Sequence, residues 1–235
     1  VVAIESPSRP PLVATDGFFG VLIPSYDRVN GAMIRLGVGG NLGADSLRPT
    51  YRIVGSYSAE RGAVGGTGEV RLPIGAGTRL FVRGGREVLT HDAWIRGELT
   101  NSLSALFVRS DVRDYYESDY ASVGIASSLP ATLDPGQGYF GPGLRIVASR
   151  DRSLVAGDPW TLFGEEPWRE NPEVFEGTMT SAVAGFVAGW RGITSAVEGS
   201  VDVEWAFPSP IGFDWGERDF VQVVADGGWS MLALW

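Results

Sequence analysis

From Ile193 to Phe207 the chain alternates between two chemically opposite faces. Ile193, Val197, Val201, Val203, Trp205 and Phe207 share one parity, and Thr194, Glu198, Ser200, Asp202 and Glu204 share the other. Successive side chains of a strand point to opposite sides, so the stretch reads as one long strand with an apolar surface and an acidic one. It outruns the roughly 5–6 residues of a usual strand and suits a tilted bilayer-crossing strand, about 9–11 residues plus an aqueous extension. The expected strand is therefore transmembrane, with Val197, Val201, Val203, Trp205 and Phe207 toward lipid and Glu198, Asp202 and Glu204 toward a wet lumen. A strand of a soluble, secreted β-sandwich binding module shows the same alternation and stands as the alternative.

Composition narrows the choice. The chain is 44% hydrophobic and 20% charged, with mean hydropathy +0.04. That is too apolar for disorder, yet no 18-residue uncharged run exists to form a helical span. Glycine, at 33 of 235 residues, is about twice its usual share of ~7%. Much of it lies inside alternating segments, at Gly37, Gly39, Gly40, Gly65, Gly66, Gly68, Gly84 and Gly85, where it would let coiled strands bend. The eight tryptophans suit a headgroup level, and every basic residue is arginine. A net charge of -9 argues against nucleic acid as a partner, and the absence of cysteine excludes disulfides and thiolate metal sites. Neither Gly37–Gly40 nor Gly65–Gly68 leads into Gly-Lys-Ser/Thr, so no nucleotide is expected, nor any other cofactor or metal. With no charged segment followed by an apolar one at Val1, the expectation is a mature form or a fragment of a longer chain.

Residues 1–30, rich in proline, read as an extended entry segment, and 31–235 as the β-barrel domain. Strands are expected at 31–39, 50–58, 63–74, 78–88, 120–129, 143–149, 178–190 and 193–207. Two short ones follow at 220–225 and 229–235, divided by an Asp226-Gly227-Gly228 turn. Residues 91–117 break the rhythm. Ile95, Leu99, Leu103, Leu106 and Phe107 recur at spacings of three and four, so a short amphipathic helix competes with a strand there. Residues 151–177 read as a long external loop.

Alternation assigns faces along the other strands. Arg35, Arg52, Glu69, Arg71, Arg79 and Arg83, with Glu87, are expected toward the lumen, as an interstrand charge ladder in preference to an anion-selective pore. Tyr51, Ile53, Val70, Leu72 and Trp190 are expected toward lipid. Tyr115, Tyr116, Trp190, Trp205 and Trp235 are candidate aromatic girdles. The single histidine, His91, adjoins Asp92 and lies near Ser102 and Ser104 in sequence, but no Gly-x-Ser-x-Gly frame surrounds them, so no catalytic residue is assigned. Asp151, Asp158, Glu165, Glu166 and Glu170 read as solvated loop acids in preference to a Ca²⁺ site.

Tyr26-Asp-Arg-Val-Asn-Gly31, leading into the glycine-rich strand, resembles the opening of the barrel in bacterial surface-antigen outer-membrane proteins of the barrel-assembly and two-partner-secretion superfamily, whose segment is of the Tyr/Phe-Asn-Arg-Val-Glu-Gly type. Here Asp27 and Asn30 replace the Asn and the Glu. Asn101-Ser-Leu-Ser-Ala-Leu-Phe107 followed by Arg113-Asp-Tyr-Tyr116 is similar to a second segment of some relatives. The alternating segments read as an antiparallel, up-and-down transmembrane β-barrel of about ten or more strands; the resemblance implies that it lies in the bacterial outer membrane, as the front part of a longer barrel or as a reduced relative. The implied role is structural, surface or assembly-related, without chemistry of its own. Implied partners are outer-membrane lipid and other outer-membrane or surface proteins. The helper domains and the Arg-Gly-Phe tip of that family are missing, so insertase or secretion activity is not carried over.

Overall fold

The computed structural model describes residues 14–15, 22–42, 48–75, 77–127, 129–130, 138–191, 195–207 and 220–231. In chain order these form β1 (Ala14–Thr15), β2 (Ser25–Asp27), β3 (Gly31–Asn41), β4 (Thr50–Ser58), β5 (Ala63–Gly75), β6 (Thr78–Leu89), α1 (Glu98–Val108), β7 (Tyr116–Ser127), β8 (Leu129–Pro130), β9 (Gly138–Ser153), β10 (Gly177–Arg191), β11 (Ser195–Phe207) and β12 (Phe220–Met231). All strands belong to one antiparallel sheet ordered β1-β3-β4-β5-β6-β7-β9-β10-β11-β12, with β2 also on β3 and β8 also on β9. The described residues are thus all-β but for one helix, and the sheet is an open meander: no ladder among them joins β12 to the β1–β3 end. Among the described residues there is no second sheet.

From β3 to β12 each long strand pairs with the next long strand, because the alternating segments are joined by turns or loops at alternate ends. Within residues 1–30, Ala14–Thr15 and Ser25–Asp27 pair with β3. Residues 226–228 do not turn. They run through β12, with Asp226, Gly227 and Gly228 opposite Ser200, Gly199 and Glu198. The competition at 91–117 resolves to a helix, ended by Arg109 in the left-handed region at φ 56°. Turns are also expected from the sequence at 41–46 and 191–192; Asn41 and Arg191 instead end β3 and β10, while 43–46, 192 and Trp235 lie outside the described residues.

Two glycines show how closely the strands coil. Gly66 and Gly85 hold φ of 157° and 153°, and a Cβ on Gly85 would stand 2.1 Å from the Gly66 carbonyl oxygen. Only glycine fits that approach of β5 to β6. Side chains of one parity from β5 round to β12 line a single cavity, so the sheet curls around it. The cavity-lining side is called the inner face here, and its opposite the outer face.

The polarity of these faces inverts that of a protein built around a hydrophobic core. By register the outer face carries Ile34, Leu36 and Val38 on β3, Tyr51 and Ile53 on β4, Val70 and Leu72 on β5, Leu80 and Val82 on β6, Val123 and Ile125 on β7, and Leu144 and Ile146 on β9. It continues with Phe186 and Trp190 on β10, Val201, Val203 and Trp205 on β11, and Val221 and Val223 on β12. These side chains are exposed: Leu36 is 57%, Val82 53%, Leu144 52% and Trp205 56% accessible. The inner face buries Ser118, Ser122, Ser149 and Ser181 instead. Among the described residues, the buried apolar side chains are only Val29, Ala105, Tyr115, Val183 and Ala206, and three of those lie at one end of the sheet, in a cap.

Candidate functional site

The cap is assembled from the hairpin turn before β3, the β6–β7 connection with α1, and the 154–176 loop. Asp27 organises the turn: its Oδ1 accepts the backbone N–H groups of Val29 (2.9 Å) and Asn30 (2.7 Å), and both its oxygens accept from Asn30 Nδ2. Gly31 completes the turn at φ 61°, which glycine adopts without strain. Arg28 is thereby driven into the cap and fully buried. Its guanidinium donates to Asp114 Oδ1 (2.9 Å), Asn171 Oδ1 (3.1 Å) and the carbonyls of Asp111 and Arg113, and lies 5.7 Å from the centre of the Tyr115 ring. Its backbone N–H donates to Asp111 Oδ2 at 3.0 Å.

Asp111 is the second hub, accepting from Asn101 Nδ2 (2.8 Å) and Tyr115 Oη (3.1 Å). Burial pushes the Tyr115 phenol well above the usual tyrosine range, so it stays a donor. Asn171 staples the long loop down, bonding the backbone of Tyr115 in both directions and the Leu154 carbonyl. Gly157, Asp158 and Trp160 of the same loop bond Arg28, Glu60 and Tyr26. Leu162 and Phe163 bond the carbonyls of Leu106 and Phe107 on α1.

Beneath the cap, the inner face lines a partly open cavity of about 1300 Å³. Its cap end is aromatic and acidic: His91 stacks on Tyr116 with centroids 4.9 Å apart, beside Asp151 and Glu204. Midway, Tyr120 donates to Glu87 (2.8 Å), which also accepts from Arg83 (2.9 Å), and the Arg83 guanidinium lies 5.4 Å from the Tyr120 ring centre. Toward the other end stand Arg79, Arg71 and Glu69, the last two ion-paired. The chamber can hold a polar solute or ordered water, with anionic and cationic ends held apart along its axis.

The expected lumen residues Arg35, Arg52, Glu69, Arg71, Arg79, Arg83, Glu198, Asp202 and Glu204 share the inner face by register. Glu69, Arg71, Arg79, Arg83 and Glu204 line the cavity. Arg35 instead reaches Glu98 of α1 (2.6 Å), and Asp202 pairs with Arg145 (3.3 Å). The expected outward residues Tyr51, Ile53, Val70, Leu72, Trp190, Val197, Val201, Val203, Trp205 and Phe207 share the outer face, and Phe207, at its strand's end, also borders the cavity mouth. Of the candidate girdle residues, Tyr115 is buried in the cap and Tyr116 faces the cavity.

His91 and the nearby serines do not converge. Ser102 accepts the Tyr26 N–H within the cap, while Asp92 accepts the Asp114 N–H. The loop acids disperse likewise: Asp151 faces the cavity and Asp158 pairs with Arg109. No group of three or more acids and histidines among the described residues is arranged to hold a metal. Sequence reasoning singled out neither Asp111 nor Asn171 nor the pairing of Arg145 with Asp202, since Arg28 meets Asp111, Asn171 meets Tyr115 and Arg145 meets Asp202 only through contacts distant in sequence. No protein-family model, curated protein or solved structure matches the chain.

Proposed function

We propose that the chain is an integral bacterial outer-membrane β-barrel wall, apolar toward lipid and polar toward an internal chamber, with a structural, surface or assembly-related role. One observation carries the reading: the outer face exposes aliphatic and aromatic side chains on every long strand, while serines, arginines and carboxylates occupy the inner face. In water such a surface favours association, since monomers rarely expose apolar patches beyond a few hundred Å². Against lipid it is the expected arrangement.

Dimensions support the reading. On β9 the outer residues from Ala148 to Phe140 are uncharged; at about 3.3 Å per residue they span roughly 26 Å. A tilt of about 40° leaves about 20 Å of height, near the ~25 Å apolar band of known barrels. Aromatics bound both ends: Tyr57 and Trp205 at the cap end, Tyr51, Phe140 and Trp190 at the other. The surface-antigen resemblance enters through Tyr26–Gly31, the turn that seats the cap. Long connections at one end and short turns at the other also suit a barrel with one elaborated surface.

The test is fractionation with heat modifiability. A barrel stays with outer membranes, requires detergent for extraction and changes gel mobility on boiling. A chain that is freely soluble and migrates identically with and without boiling overturns the reading and makes the outer face a protein-binding surface.

A further inference from the structure

The outer wall is uncharged over most of its area, which makes its one charged patch conspicuous. Following register along the described strands, outward-facing charge occurs only on three neighbours, at the cap end: Arg86 on β6, Glu117 and Asp119 on β7, and Arg150 and Arg152 on β9. Arg61, from the β4–β5 turn, joins by pairing with Glu117. Arg152 bridges Glu117 (3.0 Å) and Asp119 (2.6 Å), and Arg86 pairs with Asp119 (2.6 Å). Four guanidiniums therefore face two carboxylates, and Arg150 has no ion-pair partner among the described residues. The β10 residue opposite Arg150 is Thr178, which adds no charge. Just below, the same strands turn apolar with Ala121 and Val123, Ala148 and Ile146, and Gly84 and Val82.

We infer that this patch binds the phosphate of an anionic lipid headgroup, with the acyl chains lying on the apolar wall beneath. The inference rests on the outer-membrane reading. Its chemistry is that of a guanidinium fork, which matches phosphate oxygens in bidentate fashion and is weakly hydrated. Glu117 and Asp119 have a positioning role: each holds guanidiniums in place without neutralising the set. An arginine patch at the edge of an apolar band is where a lipid's charge and its chains can be satisfied together.

The experiment uses the full chain in a neutral detergent. Its thermal unfolding and lipid retention are measured with added phosphatidic acid, phosphatidylcholine or inorganic phosphate, alongside Arg86→Gln/Arg150→Gln and a control, Arg79→Gln, on the inner face. Phosphatidic acid is expected to raise the unfolding temperature and to bind at least about tenfold more weakly to the double variant, at roughly fivefold per arginine. Phosphatidylcholine and inorganic phosphate are expected to do neither, and Arg79→Gln to behave as the parent. Equal responses of parent and double variant in a detergent-requiring, heat-modifiable protein overturn this inference alone. So does reproduction of the shift by inorganic phosphate. A chain that is soluble without detergent overturns both this inference and the reading on which it rests.

Discussion

Arg145 on β9 and Asp202 on β11 meet at 3.3 Å across the strand between them, over Gly185 of β10. A Cβ at position 185 would stand 2.3 Å from Asp202 Oδ1, so the glycine leaves the space through which the pair forms. Both side chains are more than two-fifths exposed, so the pair itself contributes about 0–1 kcal/mol. Gly185→Ala is therefore expected to cost at most the pair itself, about 0–1 kcal/mol, when Asp202 is present, because the carboxylate can turn aside. With Asp202→Ala it should cost nothing or stabilise slightly, because the collision is with the carboxylate. A double-mutant cycle in denaturant reads this, and equal costs in both backgrounds reject the account.

The cap gives a larger effect. Arg28 is fully buried between Asp111 and Asp114, and removing it leaves the equally buried Asp111 carboxylate without its countercharge. Arg28→Met should cost about 3–5 kcal/mol of cap stability, and Arg28→Lys should fail as well, because one ammonium cannot reach Asp114, Asn171 and two carbonyls together. Limited proteolysis checks this: cleavage within 90–115 and 154–176 should accelerate while the β-sheet circular dichroism persists. Simultaneous loss of the sheet signal would mean that the cap and the wall fold as one unit.

These two relationships mark what was and was not legible in the sequence. Alternation is a local property, so it separated Val201, Val203 and Trp205 from Asp202 and Glu204, and the register keeps them on opposite faces. Periodicity marked 91–117 as helix or strand without deciding between them, and did not show which side of α1 is buried. Leu99, Leu103 and Phe107 are exposed, while Asn101, Ser102 and Ala105 pack into the cap. The Asp226-Gly227-Gly228 run carries a turn's composition yet lies in a ladder, because its pairing to β11 decides its conformation. The arginine patch was missed because charges at 116–119 and 150–153 end the alternation that defines a strand by pattern, whereas the hydrogen-bonded ladder continues through them.

Asp27 supplies a pH dependence. Burial holds its carboxyl above the ordinary carboxylate range, against the hydrogen bonds from Asn30 and Val29 that favour the charged form. A folded-state pKa above the unfolded value means that the folded cap binds the proton more tightly. The resulting stabilisation is complete below the unfolded pKa of about 3.9 and is lost as pH rises through the raised folded value. Asp27→Asn cannot titrate, so it should flatten this part of the slope. Hydrogen exchange at Val29 and Asn30 in parent and variant, followed from acid to neutral pH, measures it, and identical slopes would falsify the assignment to Asp27.

The lipid reading and the solvent reading of the outer wall differ most sharply at an exposed site in the middle of the band. Leu144 is 52% accessible, and it lies opposite Ile125 and Ala184 on the neighbouring strands. On a water-facing surface Leu144→Arg should change stability by no more than about 0.5 kcal/mol. Facing hydrocarbon, the same change should cost about 2–4 kcal/mol, because the guanidinium must be desolvated or drawn to the interface. Ala126→Arg, one strand over at an exposed position of the inner face, introduces the same charge beside the polar cavity, so it controls for the charge itself. In reconstituted vesicles the outer substitution should lower the unfolding midpoint well below that of the inner one. If the outer substitution changes stability by no more than about 0.5 kcal/mol, the outer face is not in contact with lipid.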